Sequence, residues 1–266
     1  MSLRAVWRYL LSGLLVGGSA FASAADRAHW QSVDYLVDAF VEIAMRNEYS
    51  PKQSPVRKWI TPVNYFVVHQ VVDEELHQRL IRTHFEHLAE ITGLTIRPAE
   101  SQTAANYLII MTGEDSLKQD LQSYFGWRSA ARREKFYRES VCVSTFSTKP
   151  KGPIFRAAVI IPVDRARARA KLVACVVEEL TQVLGLPNDS AKVFPSVFND
   201  QSTDVFLSGL DFLLLKMLYD PRVKVGMDED TVRPILQQIA AEFERDDLFA
   251  TAEKAAAEGG LSALSP

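Results

Sequence analysis

The sequence predicts an α+β domain with a mixed sheet, and three observations carry that prediction. Strand-like and helix-like runs alternate through the first half, at residues 59–72, 73–91, 94–97 and 106–112. A hairpin follows: residues 141–146 alternate as an edge strand does, Lys149-Pro150-Lys151-Gly152-Pro153 supplies the turn, and 155–163 returns as an apolar antiparallel strand. After the hairpin the periodicity is helical, interrupted by an irregular run at 188–204. With 47% hydrophobic and 24% charged residues, the chain has ample material for one core. A net charge of −3 argues against a polyanion-binding surface, so no nucleic-acid partner is expected.

Taken in order, residues 1–24 read as a signal peptide. Arg4 and Arg8 precede the apolar run Leu10 to Val16, and Ala22-Ser23-Ala24 is a small-x-small site with cleavage before Ala25. The apolar run is short for a membrane span, so a periplasmic or secreted protein without a span after cleavage is expected. Residues 29–49 carry a helical apolar period, ended by Pro51 and Pro55. The run 59–72 holds the apolar stretch Val63 to Val68 of a strand. Asp73 is the expected N-cap of a helix that stops at Gly93. Residues 115–139 read as a polar, basic helical stretch with Arg132, Arg133, Lys135 and Arg138 on a solvated face. Arg165, Arg167, Arg169 and Lys171 alternate with Ala and are expected to snorkel at the rim. Further helices are expected from Ser208 to Tyr219 and from Glu229 to Arg245, followed by an alanine-rich tail that frays. The domain scheme is thus 1–24 signal peptide, 25–227 main domain with an N-terminal helix, and 228–266 C-terminal helix with a flexible tail. No internal repeat is present, and no G-x-S-x-G, P-loop or G-x-G-x-x-G pattern supports a serine-hydrolase or nucleotide reading.

The segment 175–189 stands out. It reads as a largely buried helix ending at Gly185, yet Cys175, Glu178, Glu179 and Gln182 fall at i, i+3, i+4 and i+7 on one side. Adjacent carboxylates on such a helix must be paired, solvated or metal-bound. The pattern Glu178-Glu179-x-x-Gln182-x-x-Gly185-x-x-Asn188 follows the metzincin template H-E-x-x-H-x-x-G-x-x-H in its Glu and its Gly, with Glu, Gln and Asn in place of the three histidines. One carboxylate and two amides make a poor zinc set, so no conventional zinc site is expected. Added oxygens from Asp189 and Asp200 would suit calcium or another divalent cation better, with Gln182 and Asn188 as hydrogen-bonding buttresses otherwise. Two cysteines in an exported chain pair by default, so a Cys142–Cys175 disulfide is expected, tying the helix to an upstream strand. His77, His84 and His87 lie on the helix after Asp73; they read as a solvated face, or as a cluster that binds metal or senses pH.

Three blocks in this order resemble the proteobacterial family called domain of unknown function 2927: residues 178–189, Ser196-Val197-Phe198-Asn199-Asp200, and 207–211 with 218–222. The resemblance covers residues 30–227 and implies an exported protein or lipoprotein. The same blocks are more distantly similar to matrixin-type metzincins, with Ser196 to Phe198 at the place of their Met-turn, Phe198 replacing the Met, and 207–219 at the place of their C-terminal helix. That similarity implies a zincin-like mixed sheet with a long active-site-type helix, and Glu179 as general base if the site is active. The expectation is therefore a degenerate peptidase site, a pseudopeptidase acting as a binding or accessory protein on protein or peptide partners in the cell envelope. The alternative is a metal-dependent hydrolase using Glu179 on a non-histidine metal site.

Overall fold

A computed structural model describes residues 28–46, 53–199 and 201–264; the expected signal peptide lies outside them. Its centre is a six-stranded mixed sheet. Val63–His69 (β2), Ile96–Pro98 (β3), Tyr107–Thr112 (β4) and Pro153–Pro162 (β6) run parallel in the order β3-β2-β4-β6. The two-residue strand Lys58–Trp59 (β1) pairs parallel with the start of β6. Val143–Thr148 (β5) runs antiparallel along β6, as the hairpin turn predicts.

The alternation in β4 shows how the sheet is sandwiched. Tyr107, Ile109 and Met111 join the main core, whereas Ile110 faces a second cluster with Leu117, Leu121, Phe136, Ala158 and Ile160. Both faces of β4 are therefore covered, the usual condition of a central parallel strand. Leu117–Phe125 (α3) and Ala130–Glu139 (α4) cover the second face; the basic stretch is two helices because Gly126, at φ 67, ends the first. Arg132 stacks over Trp127 at 3.9 Å, and Lys118–Glu134 and Lys135–Glu139 pair on the surface.

The main core lies under Val33–Phe40 (α1, prolonged by a π-turn at Val41–Met45), Glu74–Thr92 (α2), Leu172–Gln182 (α6), Gly209–Tyr219 (α7) and Glu229–Arg245 (α8). Ser208 begins α7 with a full capping box to Asp211. Residues 248–258 do not fray: Leu248–Glu258 is a helix (α9) that buries Phe249, Ala252 and Ala256. Glu253 accepts from Gly209 N at 2.8 Å, and Phe249 O accepts from Gln31 Nε2 at 2.9 Å. An Ala-rich face packs closely against α7, and tertiary burial outweighs the tail's terminal position. No described helix is long and apolar enough to cross a membrane.

Two other expectations are corrected. Asp73 precedes α2 in a left-handed conformation (φ 69) and caps nothing; its carboxylate pairs with Arg167 at 2.7 Å. Arg165 does not snorkel at the rim. It lies on a short helix, Val163–Ala168 (α5), is buried, bonds Glu114 through Nε and Nη2, and donates to Tyr137 O and Ser140 O at 2.8 and 3.0 Å. An acid fifty residues away pulls it inward, a pairing that local periodicity does not encode.

Candidate functional site

The polar stripe lies on α6, which runs out of β6 through α5. Cys175 opens it and is disulfide-bonded to Cys142 at the foot of β5, with Cα atoms 5.9 Å apart. A second tie runs between the same elements two residues further along the strand, where Ser144 Oγ donates to Gln182 Oε1 at 3.2 Å. The other end of that amide is also engaged: Gln182 Nε2 donates to Asp189 Oδ1 at 2.6 Å. Gln182 thus links the edge strand, the helix and the chain beyond the turn, and both polar atoms of its amide have protein partners.

Gly185 makes that turn possible. Its φ is +125, and a Cβ there would stand 2.1 Å from Arg57 O, closer than any side chain tolerates. The turn backbone is pinned from outside, since Trp59 Nε1 donates to Val183 O at 2.9 Å and Tyr219 OH to Leu184 O at 2.8 Å. Asn188 then leaves the stripe for α1: its backbone N donates to Ile43 O at 3.1 Å and its Nδ2 to Glu42 O at 2.9 Å. Its Oδ1 is buried with no hydrogen-bond partner among the described residues.

Glu178 is half-buried and Glu179 is buried. Glu179 lies close enough to Tyr107 of β4 that its charge, added to full burial, raises the phenol well above its usual range. Tyr107 OH donates to Leu180 O at 3.2 Å. The proposed base is therefore next to the sheet core. Among the described residues no three His, Cys, Asp or Glu side chains converge as metal ligands would. Asp200, the further oxygen donor expected from sequence, lies outside the described residues. The donor chemistry does not fit zinc: Gln182 is engaged at both ends, Asn188 points its amide nitrogen at α1, and the imidazole that meets α6, His84, spends its Nε2 on Val177 O and Thr181 Oγ1.

The loop beyond the site is wired to α7 by a group that sequence patterning missed. Asp211 is fully buried. It accepts from Ser196 Oγ at 2.6 Å, Val197 N at 3.1 Å, and Ser208 N and Oγ at 2.9 Å each. Burial pushes its carboxyl up to about 6 against the pull of those donors. Phe198 is fully buried, and its carbonyl accepts from Ser190 N at 2.9 Å. Lys58 is the second missed group. Its Nζ donates to Leu218 O at 2.7 Å, and burial, with Lys224 nearby, lowers it to about 8 despite Asp220. Asp211 was legible as part of the block 207–211 and Lys58 as one of two adjacent cations, but neither burial was.

The histidines of α2 are not a solvated face: His77, His84 and His87 are all buried. His84 faces α6, with Nε2 3.1 Å from Val177 O and 3.0 Å from Thr181 Oγ1, and burial lowers it to about 3. His87 lies under the end of α9, where a Cβ on Gly259 would come within 2.4 Å of its ring. A cavity of about 300 Å³ beside it, lined in part by Glu90, Phe212, Lys216 and Glu258, includes none of the stripe.

No curated protein matches the chain. The family described as protein of unknown function (DUF2927) matches residues 33–238, which takes in the sheet, α6, the Asp211 wiring and most of α8, and the chain belongs to that family.

Proposed function

We propose that this is an exported accessory protein of the cell envelope, built on a zincin-like frame whose catalytic helix has become a structural brace, and that it acts by binding protein or peptide partners. The observation that carries the reading is Gln182. At the position where the template places its second imidazole, an amide bonds Ser144 on one side and Asp189 on the other. The layout supports the frame: a mostly parallel sheet with one antiparallel strand, β5, beside the helix, then a tight Gly185 turn, a buried loop at Phe198 and a capped helix α7. Removal by signal cleavage before Ala25, and hence a periplasmic or secreted location, belongs to the same proposal and rests on residues 1–24.

Elemental analysis of protein purified without chelator tests the reading. It predicts no stoichiometric metal, and Glu179→Gln protein that folds and keeps its cellular role. Stoichiometric metal that Glu178→Ala removes would overturn it.

One observation favours a second reading. Asn188 Oδ1 is a buried oxygen without a hydrogen-bond partner among the described residues, next in sequence to Asp189. An oxygen-donor cation such as calcium at Glu178, Gln182, Asn188 and Asp189 would make Glu179 the base of a metal-dependent hydrolase. Loss of calcium binding in Asn188→Ala, with the fold intact, would favour this alternative.

A further inference from the structure

The junction of β2, α2 and α5 carries a cluster that the brace on α6 does not use. His69, the last residue of β2, stacks on His77 of α2 with ring centroids 5.8 Å apart and planes 9° from parallel. Arg167 of α5 approaches the same ring from the other element, with Nη2 3.5 Å from His77 Nε2, while its Nη1 holds Asp73 at 2.7 Å. Glu74 Oε1 lies 3.5 Å from His69 Nδ1. The charged and titratable groups facing the pair are thus His69 itself from β2, Asp73 and Glu74 from the start of α2, and Arg167 from α5.

A buried histidine that serves only the fold has its buried nitrogen engaged, as His84 Nε2 is by Val177 O and Thr181 Oγ1. In this pair one nitrogen of each ring is not: His69 Nε2 and His77 Nδ1 are buried with no partner among the described residues. A proton added to either ring would put a second cation beside Arg167 or beside the other imidazole, in a site that offers that buried nitrogen no acceptor. Burial already lowers both rings. For His77, Arg167 and His69 act in the same direction and Asp73 opposes; for His69, Glu74 opposes.

The segment that can yield is adjacent. Asp73 holds a positive φ of 69, and Val72 is 78% exposed, so the turn between β2 and α2 is anchored through His69, His77 and the half-exposed Arg167–Asp73 pair. Across the contact, α5 leads through residues 169–171 directly into α6.

We propose that His69 and His77 form an acid-operated latch that holds the β2–α2 turn against α5, closed when both rings are neutral and released when they take up protons. Above the ordinary histidine range the rings are neutral whether the latch is closed or open, so closure does not depend on pH. Below it the open form binds protons that the closed form excludes. The opening equilibrium then shifts about tenfold per pH unit for one proton and up to about a hundredfold for two.

Hydrogen exchange followed by mass spectrometry on the full chain, at pH 7.5 and 5 with intrinsic rates corrected, tests this. Peptides covering 69–80 and 163–171 are expected to lose tenfold or more protection at pH 5, while α7 keeps its own. The His69→Gln/His77→Gln variant should hold its protection unchanged between the two pH values. Should that variant fail to fold, Arg167→Gln serves: loss of the Asp73 pair loosens the turn at both pH values, and loss of the cation beside His77 should shrink the ratio of protection between pH 7.5 and pH 5. Uniform loss of protection across all helices, equal acid sensitivity in the double variant, or an undiminished ratio in Arg167→Gln would each overturn the proposal.

Discussion

Two helices, α6 and α2, both bury polar groups, and they treat them in opposite ways. On α6, the stripe ends in an amide with a partner at each end and in a disulfide, so the polarity holds the edge strand, the helix and the turn together. On α2, His84 is satisfied in the same manner, but His69 beside the helix, His77 and His87 keep buried nitrogens without partners. A buried group whose hydrogen bonds are met stiffens the elements it joins, whereas a buried nitrogen without a partner adds a desolvation cost to them. The family motif thus marks the stiff region, and the sensitive region lies one helix away.

The comparison can be broken at several points. The largest effect should come from Gly185→Ala, which combines a left-handed φ with a Cβ driven against Arg57 O; about 3–5 kcal/mol should be lost in denaturant unfolding. A loss below about 1 kcal/mol would mean that the turn is not held as tightly as the brace requires. Replacing both Cys142 and Cys175 by Ser should lower stability by about 3–4 kcal/mol, from releasing a loop with a sequence separation of 33. Unchanged stability would remove the tether from the brace.

The pH dependence sharpens the α2 side. His84 is lowered from 6.5 to about 3 by burial, with His87 adding to the effect and the Val177 carbonyl opposing it. Its contribution is therefore whole above pH 6.5 and is lost as pH falls toward 3, because the unfolded chain takes up the proton first. By pH 4 the loss from this one group should reach about 3 kcal/mol, and His84→Gln should flatten that limb of a stability–pH profile. Buried Asp211 runs the other way: raised to about 6, it favours the fold below the ordinary carboxylate range and loses that contribution as pH rises through 6. The mildest change is Gln182→Leu, which keeps the volume and removes both hydrogen bonds; about 1–3 kcal/mol should go, and Ser144→Ala in the same background should add little.

The sheet, the hairpin and the helix ends were largely legible in the sequence, because period and turn chemistry are local. Gly93 and Gly126 stop α2 and α3 at positive φ, and the 149–153 turn sets the β5–β6 pairing. The Gly185 turn was legible for the same reason, and the Cys142–Cys175 pair because the chain holds two cysteines and reads as exported. What escaped was the direction of polar side chains whose partners are distant in sequence. Arg165 reads as a rim residue until Glu114 is seen beside it, and the α2 histidines read as solvated until Val177, Thr181 and Gly259 close over them. Asp211 was recognisable as part of a block, but its role of gathering Ser196, Val197 and Ser208 depends on a loop that periodicity does not describe. The tail was expected to fray because of its terminal position, whereas its small side chains let α9 lie close on α7.

The central claim is that α6 is a brace and not a metal grip. Unfolding of the wild-type chain in chelator, in millimolar calcium and in equimolar zinc tests it most directly, since a ligand at a hundred times its Kd would add about 2.7 kcal/mol. The brace predicts the same midpoint in all three solutions. A metal-dependent rise in stability that Glu178→Ala abolishes would contradict it.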